Sequence, residues 1–350
     1  MAAGLRADGG AMKGYALFAP GDIRFTEWPV PEIGDDEILV KVAAVGICGS
    51  DVHAYNGHQP SMVYPCIIGH EISGEVAQLG RTAAGITVGN HVILDPVIKC
   101  GECPTCLSGK PNICFNLQVL GVHVNGGLAE YVKVKAYQAH VISKGMPLWK
   151  CAFAEPLSIG GQAVARGKVR KGDRLLIIGA GPIGLSVLIM AKAKGAYVAV
   201  ADINAIRLGK AEGYGADKTI NSLEVNLEEA AKSITGPVGF DIVIDAVGSQ
   251  AVLDEAVKCV GRGGRLVILG LAPNGVGVSA LTILKKELDV IGSRMSHGQF
   301  AAISEMLSSG LVDPASAITH RFPFGEVEKA FELALKPDAS VVKIVVEMPS

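Results

Sequence analysis

The chain has 350 residues, 49% of them hydrophobic, with 32 basic and 34 acidic side chains and a formal net charge of -2. That length favours two domains, and the balanced charge leaves no basic stripe for nucleic acid or an anionic membrane surface. The longest apolar runs, such as residues 175–185, are shorter than the roughly 20 residues of a membrane span and are broken by glycine, so a soluble globular protein is expected.

Residues 1–11 are small and glycine-rich and lack the apolar stretch of a secretory signal. Met12-Lys13 therefore reads as the natural start, with residues 1–11 outside the fold. Without secretion, eight cysteines argue for metal binding or reduced core thiols rather than a disulfide framework, and for a cytoplasmic setting.

From Lys13 to about Ser143, short apolar stretches are punctuated by Gly, Pro and Asp. Strands are predicted at residues 13–18, 37–45, 72–78, 91–94 and 128–134, which makes this half an all-β barrel or sandwich. Cys48 falls where the second of these gives way to a loop or helix start, a position from which a side chain leaves a rigid scaffold. Gly69-His70-Glu71 supplies an imidazole and a carboxylate, and Glu155 a further carboxylate. A thiolate, an imidazole and one or two carboxylates gathered by folding would form an open zinc site, the kind that polarises a substrate oxygen.

Ser50 and His53 follow Cys48 closely, so a hydroxyl and then an imidazole could carry a proton from a zinc-bound alcohol to solvent. The bland alternative for both is an ordinary loop cap. Asp51 is placed to orient a ligand.

The strongest local motif is Cys100, Cys103, Cys106 and Cys114, spaced C-x2-C-x2-C-x7-C in a lobe too small and polar for its own apolar core. Four thiolates at this spacing predict a closed structural zinc site whose metal supplies the ordering energy. Two disulfides, a redox CxxC pair and an iron–sulfur cluster are the alternatives.

In the second half, residues 173–178 read as a buried parallel strand leading into Gly179-Ala180-Gly181-Pro182-Ile183-Gly184 and an apolar helix ending near Gly195. A second strand at residues 197–201 ends at Asp202. Strand, glycine turn, helix, strand and acid together are dinucleotide chemistry. The glycines permit a tight turn and close approach to a pyrophosphate, and Asp202 accepts hydrogen bonds from the adenosine ribose and repels a 2′-phosphate, favouring NAD. Arg207 lies close enough in sequence to complicate that preference.

Strands at residues 218–220, 240–246 and 265–269 and a helix at 250–260 continue the alternation, so about six βα-like units between residues 161 and 292 give a doubly wound sheet. Val247 and Leu269 mark strand ends at the carboxyl edge, where such folds bind ligands. Beyond residue 292 come a helix at 299–308, a core-packing helix at 324–335 and a strand at 341–346 that returns to complete the first domain.

Gly46-Ile47-Cys48-Gly49-Ser50-Asp51, Gly69-His70-Glu71, the four-cysteine lobe and the glycine turn occur in one order, and in that order the chain resembles the zinc-dependent medium-chain dehydrogenase/reductase family. The resemblance implies an α/β two-domain protein: a GroES-like β-rich catalytic domain over residues 12–160 with its structural zinc lobe at 96–116, a Rossmann doubly wound parallel sheet over 161–292, and a segment 293–350 completing the catalytic domain. It also implies two Zn(2+) per chain and NAD.

Where the alcohol dehydrogenase branch has a third ligating cysteine, this chain has Glu155, which is similar to the sorbitol and polyol branch. That likeness implies Cys48 and His70 as ligands, with Glu71 and Glu155 competing for the third position. Gly121-Val122-His123-Val124-Asn125-Gly126-Gly127 and Gly292-Ser293-Arg294-Met295 resemble bacterial dehydrogenases of sugar acids, such as L-galactonate or L-gulonate 5-dehydrogenases. Arg294 would then pair with a substrate carboxylate and His123 would face the substrate, unless Arg294 is a structural or interface arginine.

The expected reaction is NAD-linked oxidation of a secondary hydroxyl in a polyol or aldonate to a ketone. A sorbitol, threonine or simple alcohol dehydrogenase is the alternative, and a non-catalytic NAD-binding regulator a rival of another class. The resemblance implies a homotetramer or homodimer, and residues 276–290 could offer an edge for subunit pairing.

Overall fold

The computed structural model describes residues 10–271, 275–336, 338 and 340–349. It divides into two compact units, one made of the residues up to Glu155 together with those from Phe300 on, the other of Pro156–Gln299. The boundaries expected at 160/161 and 292/293 thus shift outward. Helix Ala154–Arg166 runs across the first, and a Cβ at Gly160 would lie 2.5 Å from the Ser186 backbone, so this helix packs closely on helix Pro182–Ala193. At the other boundary, His297 N donates to the Gln162 side chain at 3.3 Å, which ties residue 297 into the second unit.

The first unit is β-rich. Its main sheet runs in the order Ala139–Ile142, His91–Leu94, Glu71–Leu79, Glu37–Ile47, Lys343–Glu347 and Ile318–Pro323, with Tyr131–Lys135 also pairing with Glu37–Ile47. A three-stranded sheet places Ala11–Ala19 between Asp22–Pro29 and Cys66–Ile67. Along Glu37–Ile47 the side chains of Ile38, Leu39, Val40 and Val42 are all buried while Lys41 is exposed, so burial here is more continuous than the alternation of a strand covered on one face. The run from Ala44 to Ile47, flanked by strands on both sides, is buried almost throughout.

Several expectations are corrected. Ala11, set aside with the first eleven residues, opens a strand and pairs with Pro29, and Gly10 O accepts from Val30 N, while residues 1–9 lie outside the described residues. The strand expected from residue 128 is Tyr131–Lys135, because the Leu128 N–H instead bonds Ile68 O. The predicted helix at 324–335 opens as a 3-10 turn, Phe324–Glu326, and becomes α-helical at Val327–Ala334, with Val327, Ala330 and Phe331 in the core.

The second unit is a six-stranded sheet, parallel throughout, in the order Lys218–Asn221, Tyr197–Asp202, Arg174–Ile178, Phe240–Asp245, Val260–Ile268, Asp289–Gly292. The order reverses between Arg174–Ile178 and Phe240–Asp245, and this switch point opens a crevice at the carboxyl ends of the strands. Residues such as Leu176, Val200 and Val243 are fully buried, as expected where helices cover both faces. The strand predicted at 265–269 is longer, beginning at Val260 where helix Gln250–Cys259 ends.

Candidate active site

Three neighbouring strands and one short helix assemble the first cluster. Cys48 ends the Glu37–Ile47 strand and precedes helix Gly49–Tyr55, where its N–H donates to Asp51 Oδ2 at 2.8 Å. His70 and Glu71 stand where Cys66–Ile67 turns into Glu71–Leu79. Gly69 makes that turn with φ of +93°, a left-handed conformation that a side chain would strain, and a Cβ there would sit 2.7 Å from Val45. The ligand atoms of Cys48, His70 and Glu71 all lie within 4.8 Å of one another.

Glu71 is 1% exposed and paired through Oε1 with Lys343 Nζ at 2.6 Å. Lys343 is itself 3% exposed, and its ammonium also donates to Ile47 O at 3.1 Å. The other Glu71 oxygen, Oε2, and His70 Nδ1 are buried without a hydrogen-bond partner. Leaving such atoms orphaned is costly, and a cation in the cluster would satisfy the carboxylate oxygen. The donor set of one thiolate, one imidazole and one carboxylate oxygen suits zinc.

Burial pushes the Glu155 carboxyl up to about 7, with His70 opposing and Glu71 adding to the shift. Burial likewise raises Asp51, which His70 and the Cys48 N–H oppose. Burial pulls His70 down, but Asp51, Cys48 and Glu155 outweigh it and hold the imidazole well above its ordinary range. Asp51 Oδ1 lies 3.7 Å from His70 Nδ1, where it can orient the ring. Glu155 is buried and senses both His70 and Glu71, but the close three-membered group does not include it.

Ser50 Oγ is 3.5 Å from His70 Nε2, so the helix brings this hydroxyl against the cluster. His53 stands three residues on, hence on the same helix face, and is exposed. His123 is half-buried and accepts from Val119 N through Nδ1 at 3.1 Å, which makes it a turn anchor as well as a substrate candidate.

In the four-cysteine lobe all ligand atoms again lie within 4.8 Å, with sulfur separations of 3.4 Å (Cys100–Cys114), 3.7 Å (Cys103–Cys114) and 4.0 Å (Cys100–Cys106). Tetrahedral zinc with sulfur bonds of about 2.3 Å needs sulfurs about 3.8 Å apart, which this cage matches. All eight cysteines are free thiols. Backbone N–H groups of Cys103, Cys100 and Asn116 point at the sulfurs of Cys100, Cys114 and Cys114 respectively. The Thr105 hydroxyl lowers Cys103 to about 5, whereas burial pushes Cys106 up to about 12.

In the second unit Gly179 has φ of +103°, and a Cβ on Gly184 would collide with the Gly179 carbonyl oxygen. Gly181 precedes Pro182 and Ile183 at the start of helix Pro182–Ala193 and has open space where its Cβ would be. Together these leave room for a pyrophosphate at a helix N-terminus.

Asp202 ends its strand and is 8% exposed. Its Oδ2 accepts from Ala180 N at 2.6 Å and its Oδ1 from Asn204 N at 2.8 Å, so it shapes the glycine turn. Arg207 donates its N–H to Asn204 Oδ1, and its Nε is buried without a partner. Val247 is exposed at the end of Phe240–Asp245, Leu269 N bonds Asp245 O, and Arg294 is exposed beyond strand Asp289–Gly292.

Asp245 and Lys343 went unnoticed in the sequence, and Gly46 stood there only as the first residue of a motif. Asp245, 1% exposed, accepts from Val247 N and Gly248 N and so holds the loop at the switch point. Gly46 faces Glu71 across the sheet, and a Cβ there would collide with Glu71 Oε2. Lys343 is a charge inside the apolar run Val341-Val342-Lys343-Ile344-Val345-Val346, and that anomaly is the signal that would have found it.

The alcohol dehydrogenase GroES-like domain matches residues 34–144 and the zinc-binding dehydrogenase domain residues 182–309. The chain is 33% identical to L-galactonate-5-dehydrogenase of Escherichia coli (strain K12) over 332 residues, 93% of this chain and 96% of that protein. It is 35% identical to sorbitol dehydrogenase of Bacillus subtilis (strain 168) over 341 residues, 96% and 97% of the two. In three dimensions it matches, with a TM-score of 0.90 and 35% identity, an Escherichia coli CFT073 protein described as a short chain alcohol dehydrogenase and solved with NADH, covering 97% of this chain and 100% of that one.

The chain belongs to the zinc-dependent medium-chain dehydrogenase/reductase family. Within it, the chain is a zinc-containing, NAD-dependent dehydrogenase of the alcohol and polyol class.

Proposed function

We propose that Cys48, His70 and Glu71 hold the catalytic zinc with Glu155 as the competing carboxylate, that the four cysteines hold a structural zinc, and that the enzyme oxidises a secondary hydroxyl of a sugar acid of the L-galactonate or L-gulonate kind to a ketone. The observation that carries this is the convergence of three ligand atoms within 4.8 Å around a buried carboxylate oxygen that has no partner. When bound, zinc lowers the pKa of an alcohol oxygen and NAD accepts the hydride from the carbinol carbon.

The chain's own residues do the rest. Ser50 takes the hydroxyl proton beside His70, and His53, exposed on the same helix face, passes it to solvent. Asp51 fixes the His70 ring, and Asp202 with the glycine turn seats the dinucleotide. Arg294 pairs with the substrate carboxylate and His123 faces the sugar.

The relative named for L-galactonate supports an acid substrate, and the relative named for sorbitol supports a neutral polyol as second reading. A panel of aldonates and polyols followed by NADH absorbance separates them. Turnover of polyols alone, unaltered by Arg294→Ala, defeats the sugar-acid assignment. Cys48→Ala is expected to abolish turnover while NAD binding persists, and full activity in that variant refutes the metal reading. Pairing of two copies along strand Asp289–Gly292, an edge of its sheet, is the proposed route to a homodimer or homotetramer.

A further inference from the structure

Of the Lys and Arg side chains among the described residues, Lys343 alone is fully buried, and the groups it senses are the acids Glu71, Glu155 and Asp51 and the Cys48 sulfur. A lysine normally lays its stem along apolar surface and keeps its ammonium in water. This one spends both buried hydrogen bonds inside the cluster, at 2.6 Å to Glu71 Oε1 and 3.1 Å to Ile47 O.

Three adjacent strands make that reach possible. Glu71 opens one strand, Gly46 pairs with it on the middle strand, and Lys343 comes from the third, where Ile344 pairs with Ile47. Because Gly46 has no Cβ, the Glu71 carboxylate lies across it, with Oε1 held by the lysine and Oε2 left without a partner in the ligand group.

We propose that Lys343 is a positioning residue that restrains Glu71, so that the carboxylate offers one oxygen to the metal and gives way to Glu155 or a substrate oxygen instead of closing on the ion. The proposal rests on the reading of Cys48, His70 and Glu71 as zinc ligands. Its physical basis is charge: an ammonium that shares a carboxylate with a dication weakens the carboxylate's hold on the ion and repels the ion directly. Lys343 therefore sets how readily the site exchanges ligands.

The experiment uses holoenzyme and follows zinc transfer to a chromogenic chelator, with the four-cysteine zinc as internal reference. Lys343→Met is expected to release the catalytic zinc about tenfold more slowly and to lower kcat, and Lys343→Arg to restore both, while the reference zinc is unaffected. Release from Lys343→Met at the wild-type rate or faster overturns the proposal.

Lys343→Met leaves a buried carboxylate uncompensated and can fail to fold, so the charge-neutral double variant Glu71→Gln with Lys343→Met provides a second test. Glu71→Gln alone leaves the cation beside the metal and should lose zinc faster than wild type, and the double variant should regain about tenfold of that loss. A double variant that loses zinc as fast as Glu71→Gln overturns the proposal. A wild-type chain holding only the four-cysteine zinc sinks the metal reading itself and the proposal with it.

Discussion

Gly46→Ala is a small change with a large expected effect. The new Cβ would collide with Glu71 Oε2 and approach the Glu71 Cδ to 3.0 Å and Cβ to 3.1 Å. Glu71 cannot swing aside freely, because Oε1 is held by Lys343 at 2.6 Å and both groups are buried. Relief therefore requires breaking the ion pair, which strands two buried charges at a cost of about 3–5 kcal/mol, or pushing apart the Glu37–Ile47 and Glu71–Leu79 strands along their pairing.

Urea unfolding of the metal-stripped variant should show a loss of that order, and the loaded variant should retain the four-cysteine zinc while losing the other. A variant within about 0.5 kcal/mol of wild type, carrying both metals, would refute the picture of a carboxylate packed against a bare Cα.

Two further outcomes follow from the geometry. Gly184→Ala drives a Cβ into the Gly179 carbonyl oxygen, so the dinucleotide turn must open. NADH affinity measured by fluorescence should fall about tenfold or more with zinc content unchanged, and an unaltered affinity would contradict the role of that turn.

In metal-stripped protein Glu155 is raised to about 7 and His70 is also raised, so the folded state favours the protonated forms. Their stabilising contribution is complete at pH below the unfolded values and is lost as pH rises through the folded ones. Cys103, lowered to about 5, works in the opposite direction over the same interval, so the test is the difference between wild type and Glu155→Gln. The part of the urea midpoint that depends on Glu155 should shrink between about pH 5 and pH 8, and a difference that grows over this interval would contradict the assignment.

The sequence made the metal and glycine motifs readable because their chemistry is written in residue type and spacing. Four cysteines in a short lobe, or Gly179, Gly181 and Gly184 between a strand and a helix, carry their meaning locally. The convergence of Cys48, His70 and Glu71 was also expected, since each stands at a strand end. What stayed hidden depends on partners remote in sequence. Lys343 matters because it meets Glu71 across two strand pairings, and Gly46 because of the side chain opposite it. Neither contact leaves a periodic trace. Helix Gly49–Tyr55 is too short for helical periodicity to show, and in strand Ile318–Pro323 the polar run Thr319-His320-Arg321 hides any apolar alternation.

The strand that carries Lys343 also bears on how the protein is made. It lies in the main sheet between Glu37–Ile47 and Ile318–Pro323, yet it is synthesised after the whole second unit, Pro156–Gln299. A nascent chain emerging from the ribosome therefore completes its dinucleotide sheet while Glu37–Ile47 still has an open edge and Glu71 lacks its counter-ion. Cys100, Cys103, Cys106 and Cys114 come together within one short stretch of chain, whereas the Glu71 carboxylate waits for a lysine 272 residues further on.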